Sequence, residues 1–173
     1  MAHEYCAACG FDGSYYSDEA LLAAVRDLGP RWKALLGEAR TDLRTRPSPG
    51  VWSAIEYAAH SRDITALHAF GVQQALTQDE PTYPPIESDE LIETAAATYE
   101  DADPDQVGTE LENRASELAD LAADAGSDAW SRGLTVGGER TDVRHLLEHA
   151  LHDSLHHRDD VQRGLLSIRE GHR

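Results

Sequence analysis

Five of the nine histidines fall within 13 residues, at His145, His149, His152, His156 and His157, with Asp153 among them. Imidazole and carboxylate groups bind divalent ions, and imidazole also exchanges protons near neutral pH. On a helix, residues four apart share a face. His149, Asp153 and His157 therefore form one stripe, and His145 with His149 and His152 with His156 form others. Two ligands at i and i+4 can chelate one ion but do not complete a site, so a third must come from a neighbouring helix. His60, flanked by Glu56 and Asp63, is the candidate. Two neutral imidazoles and one carboxylate leave coordination positions open, as reactive sites do. The competing reading is a solvated polar stripe on an acidic protein.

The elements around these residues read as helices. Ser17 offers an N-cap to an amphipathic segment carrying Leu21, Leu22, Val25, Leu28, Trp32, Leu35 and Leu36, whose 3–4 spacing predicts a helix. Pro30 should kink or restart it. After the break at Arg46–Gly50, Ser53 and Glu56 fit a capping box opening a second helix to about Leu76, with Ile55, Ala59, Ile64, Leu67 and Phe70 or Val72 inward. Trp52, just before the cap, suits a hydrophobic staple. A long acidic, Pro-rich loop follows over 77–90, then a short helix over Leu91–Tyr99. A third long helix starts after Pro104, with Val107, Leu111, Leu118 and Leu121 inward and Gly126 as its stop. Residues 130–140 suggest a turn or small hairpin, and Thr141 is the expected cap of the histidine-rich helix, running to about Gly164. The prediction is an all-α four-helix bundle with a long second-to-third crossover. A lead-in spans 1–16, the bundle 17–167 and a tail 168–173.

Composition narrows the function classes. The formal charge is −17, from 32 acidic against 15 basic residues, so nucleic acid is not an expected partner. No apolar run is long enough to cross a membrane, and no signal peptide is evident. The two cysteines, Cys6 and Cys9, form a single C-x-x-C rather than a disulfide framework, which suits a reducing cytoplasm. Structural zinc at this pair needs two further ligands, of which His3 is a possible source, against redox cycling or a plain structural turn. The three tryptophans are expected to pack at core or edge with their indole donors satisfied at the surface. His68 and His172 read as surface residues.

Several segments together resemble the DinB/YfiT-like family. Trp52-Ser-Ala-Ile-Glu56-Tyr-Ala-Ala-His60 is similar to its W-[ST]-x-x-E-x-x-x-H segment, and His152-Asp153-Ser-Leu-His156-His157-Arg-Asp-Asp160-Val161 to the H-D-x-x-H-H-x-x-D-V ending of its actinobacterial branch. Cys6-Ala-Ala-Cys9-Gly10-Phe11-Asp12 and Asp79-Glu80-Pro81-Thr82-Tyr83-Pro84 also resemble segments of that branch. The resemblance implies a four-helix bundle holding zinc or nickel through one ligand late in the second helix, His60, and two on the last. An aliphatic residue four past the second ligand selects His157, with Val161, over His156. The first then falls at Asp153, where relatives carry His or Glu, so the shorter Asp either ligates directly, acts through water or orients a histidine. This chain departs from the branch after Pro84, where relatives carry a Trp and an Asp.

The family implies thiol-dependent transferases and isomerases, related to the mycothiol-dependent maleylpyruvate isomerase type. The expectation is a cytoplasmic metal enzyme acting with mycothiol or another small thiol on a small electrophilic substrate. His156 or His149 would move the proton, and Arg140 and Arg144 would receive the thiol cofactor's carboxylate. A non-catalytic metal- or ligand-binding stress or sensor protein is the alternative, and the reading leaves room for a homodimer.

Overall fold

In the computed structural model, residues 2–85, 94 and 96–171 are described. Five helices build the bundle: α1 (Asp18–Arg26), α2 (Leu28–Glu38), α3 (Ala54–Thr77), α4 (Pro104–Ala125) and α5 (Val143–Gly171). α1 and α2 act as one leg of a four-helix bundle, interrupted at Asp27, just upstream of Pro30. This leg and α3 each pack against both α4 and α5. The core is rich in Leu and Ala, with Trp32 fully buried at its centre.

Local chemistry sets the helix limits. The Ser17 side chain caps α1 by accepting from the Ala20 amide. Ser53 and Glu56 form the reciprocal capping box of α3, and Trp52 meets Tyr57 at 5.5 Å as a staple. Asp103 caps α4, with Pro104 at its first position, and Gly126 ends it at φ 75°.

Small sheets decorate the bundle. β1 (Tyr5–Cys6) pairs antiparallel with β2 (Phe11–Asp12). β3 (Thr82–Tyr83) lies parallel to β4 (Gly133–Val136), which pairs antiparallel with β5 (Glu139–Asp142). The β4–β5 turn is Gly137-Gly138, both at positive φ, as a two-residue hairpin turn of this hand requires.

Several expectations are corrected. Thr141 is a strand residue, and Asp142 caps α5 instead, its carboxylate accepting from the His145 amide at 2.9 Å. α5 runs beyond Gly164 to Gly171, through residues 168–171 where a tail was expected. Of the two residues offered for the last inward position of α3, Val72 is the buried one and Phe70 is exposed, as that alternative allowed. Trp32 and Trp130 satisfy their indoles inside the protein, on Ser154 Oγ at 2.8 Å and the Ala122 carbonyl at 2.9 Å. Of the short helix expected over 91–99, Thr94 and residues 96–99 are helical. Its other residues, the loop over 86–90 and His172 lie outside the described residues.

The lead-in is held by one buried carboxylate. Glu148, on α5 and 1% exposed, accepts from the Glu4 amide at 2.8 Å and from Arg144 Nε at 2.7 Å, and pairs with His3 Nδ1 at 2.8 Å. Gly13 packs so closely against it that a Cβ there would meet the carboxyl group at 2.5 Å. Burial pushes the Glu148 carboxyl up, but the Glu4 amide, His3 and Arg144 outweigh it and hold the group below the usual range. A carboxyl with a depressed folded pKa stabilises the fold above its unfolded value, and that contribution fades as pH falls. Glu148→Gln is therefore expected to cost about 1–3 kcal/mol at neutral pH. Thermal unfolding across a pH series checks this: the gap to the parent protein should shrink below about pH 4.3, the ordinary glutamate value.

Candidate metal centre

His60 projects from α3 toward Asp153 and His157 on α5. One donor atom from each lies within 4.8 Å of the other two. The side chains of Asp153 and His157 are each 20% exposed, so the cluster is sheltered without being sealed. Aromatic rings enclose it: Trp52 lies 5.2 Å from the His60 ring and Tyr57 lies 5.0 Å from the His157 ring. The staple that starts α3 thus also walls the candidate ligand carried one turn on.

Donor chemistry and spacing suit a divalent ion. His157 Nε2 is 3.3 Å from Asp153 Oδ1, close to the ~3.4 Å between two ligands of one tetrahedral ion. Asp153 Oδ2 is buried with no hydrogen-bond partner, a deficit that a cation offsets. Behind His157, Asp160 Oδ2 lies 3.3 Å from Nδ1, the position from which a carboxylate orients a metal-binding imidazole. Burial pushes Asp153 up, but the hydrogen bond and charge of His157 prevail and lower its pKa. Burial likewise pushes His157 down, and Asp153 and Asp160 outweigh it, leaving the imidazole above its ordinary value.

A cavity of about 470 Å³ opens beside α5, bounded by Ile64, His68, Arg140, His145 and His149 among others. A second, apolar hollow of about 280 Å³ adjoins it across Leu67, His68 and Leu146. None of the three metal-ligand candidates lines either space. His68 and His149 line the larger space together, their rings 5.3 Å apart, and the Asp153 charge acts on His68. His68 is buried, contrary to its surface assignment. Burial lowers its pKa to about 4, so it is neutral near pH 7. Its Nδ1 lies 2.7 Å from the Ile64 carbonyl and must carry the proton, which leaves Nε2 as the acceptor.

The remaining site candidates are placed differently. His149 lines the larger cavity. His156 stands on another stripe of α5, against the N-terminal hairpin. Arg140 borders the cavity but pairs with Glu80 at 2.8 Å. Arg144 is engaged by Asp18, Glu148 and the Tyr16 carbonyl. His3 meets Glu148 rather than the cysteines. Sequence reasoning missed His68 and the carboxylate Asp160. The latter had a signal, its position three residues past His157.

The family model described as DinB superfamily matches residues 19–161. YfiT from Bacillus subtilis, described as a probable metal-dependent hydrolase with an unusual four-helix bundle topology, shares the fold. Its TM-score is 0.75 at 18% identity, over 89% of this chain and 87% of that one. The mycothiol-dependent maleylpyruvate isomerase is also similar, with a TM-score of 0.66 at 19% identity over 86% of this chain. The match spans 62% of the isomerase. No curated protein matches in sequence.

Two consequences of the His157 environment can be measured. Binding a cation requires neutral His157, and a raised pKa lets protons compete at higher pH. Calorimetric zinc affinity should therefore fall as pH drops toward and through about 6.5. Asp160→Asn removes the orienting carboxylate and should weaken zinc binding about 10–100-fold with the fold intact.

Proposed function

Because the chain belongs to the DinB superfamily, we propose that it is a metal-dependent enzyme that uses a small thiol, of the mycothiol type, to transfer to or isomerise a small electrophilic substrate. The observation that carries this reading is the convergence of His60, Asp153 and His157, next to histidines that line a substrate-sized cavity. Likeness in fold to a mycothiol-dependent isomerase favours thiol chemistry over other uses of such a site.

His60, Asp153 and His157 would hold zinc or nickel. Such an ion supplies Lewis acidity and favours the thiolate form of a thiol beside it. The chain's own residues supply the rest. Trp52 and Tyr57 limit water at the ligands. The apolar walls from Leu67 and Leu146 accept the carbon skeleton of the substrate. His149, 42% exposed at the cavity, takes and returns the substrate proton, with neutral His68 beside it as an acceptor. Arg140 can receive a carboxylate by exchanging its exposed Glu80 partner, whereas Arg144 is committed to a part-buried network.

The test is metal content followed by turnover. His60→Ala and His157→Ala should each lose most of the metal bound after purification without chelators. Full retention in both variants contradicts the site. Metal-loaded protein should consume electrophiles only with thiol present, and His149→Asn should lower kcat about 10²–10⁴-fold while keeping its metal. Metal binding without thiol-dependent turnover would instead support a non-catalytic binding or sensor protein.

A further inference from the structure

The lead-in folds back so that its two cysteines meet α5. One donor atom from each of Cys6, Cys9, His152 and His156 lies within 4.8 Å of the others. From this juxtaposition we infer a second metal site, a closed Cys2His2 zinc centre that fastens the N-terminal hairpin to α5.

The donor set is that of structural zinc: two thiolates and two imidazoles in a tetrahedron. A four-coordinate zinc holds such donors about 3.3–3.8 Å apart, so closure by up to about 1.5 Å completes the sphere. The cysteines are not joined to each other, and the turn between them is shaped for a cation. The Gly10 amide donates to the Cys6 carbonyl at 2.9 Å, with Gly10 at φ 76°, where a side chain would be strained. The backbone amides of Cys9 and Ala8 donate to the Cys6 sulfur and that of Phe11 to the Cys9 sulfur. These amides hold the Cys6 thiol below its ordinary value, whereas burial outweighs the Phe11 amide and keeps the Cys9 thiol above it.

The histidines offer free nitrogens. His152 Nδ1 donates to Glu4 Oε1 at 2.8 Å, so its Nε2 carries the lone pair. That Nε2 and Nδ1 of His156 are both buried and lack any hydrogen-bond partner. Buried polar atoms without partners are uncommon, and two at one cluster of thiols match a bound cation. Glu4 sits behind His152 as an orienting carboxylate does behind a zinc-bound imidazole, and Phe11 stacks on the same ring at 5.2 Å. The Glu148 contacts to His3 and Glu4 hold the hairpin over this face. The second centre is independent of the first: His152 and His156 each precede Asp153 and His157 by one residue, which turns them about 100° around the helix axis.

The test uses the full chain, purified under reducing conditions without chelator and loaded with zinc. X-ray absorption at the zinc edge should show sulfur scatterers at about 2.3 Å. Cys6→Ser/Cys9→Ser should lose that shell and about one zinc per chain, and should melt at a lower temperature. His60→Ala should keep the sulfur shell, because it belongs to the other centre. Zinc-loaded parent protein without sulfur scattering would overturn the inference, and so would unchanged zinc content in the double-cysteine variant. Loss of the sulfur shell in His60→Ala would overturn the independence of the two centres. The absorption spectrum of the parent protein decides the matter even where the double variant fails to fold.

Discussion

The organisation of this protein rests on the pitch of one helix. Residues four apart on α5 face the same way, and neighbours diverge by about 100°. Asp153 and His157 therefore turn toward α3, where His60 waits, while His152 and His156 turn toward the N-terminal hairpin. A run of polar residues that would be costly if left unpaired divides into two pairs, one residue out of phase, each placed where it could chelate an ion. Carboxylates back both faces, Asp160 behind His157 and Glu4 behind His152.

The rest of the bundle keeps that helix in place. α3 lies between α4 and α5, and its capping box and Trp52–Tyr57 staple fix where it begins. His60 follows at a set phase from that start, so the local rules of helix initiation also place this candidate ligand. On the other side, Trp32 reaches across the core to Ser154, one residue after Asp153. Glu148 ties the lead-in to the same helix. α5 is thus fixed by packing, by a buried hydrogen bond and by a buried carboxylate, each within a turn or two of its ligands.

Much of this was legible from residue order because its causes are local. Ser17, Ser53 with Glu56, Pro104 and Gly126 marked helix ends through their own backbone chemistry, and i, i+4 spacing marked the α5 stripes. The choice of His157 with Asp153 needed family likeness, since spacing alone left other pairs open. What failed had non-local causes. Ser, Thr and Asp are all good caps, so residue type could not choose Asp142 over Thr141; both lie in β5, and Asp142, its last residue, is the one whose carboxylate reaches the His145 amide. His68 looked exposed because helical period gives little guidance on α3, which is packed by both α4 and α5. The histidines that Cys6 and Cys9 meet lie at the far end of the chain, and no local pattern connects them.

The metal centre stands or falls on whether His60, Asp153 and His157 share one ion. Anomalous X-ray diffraction at the zinc edge, on crystals of protein purified without chelators and loaded with zinc, tests it directly. An anomalous peak is expected about 2.0–2.2 Å from a nitrogen of His60, a nitrogen of His157 and an oxygen of Asp153. Zinc-bearing crystals with no peak between α3 and α5 would contradict it.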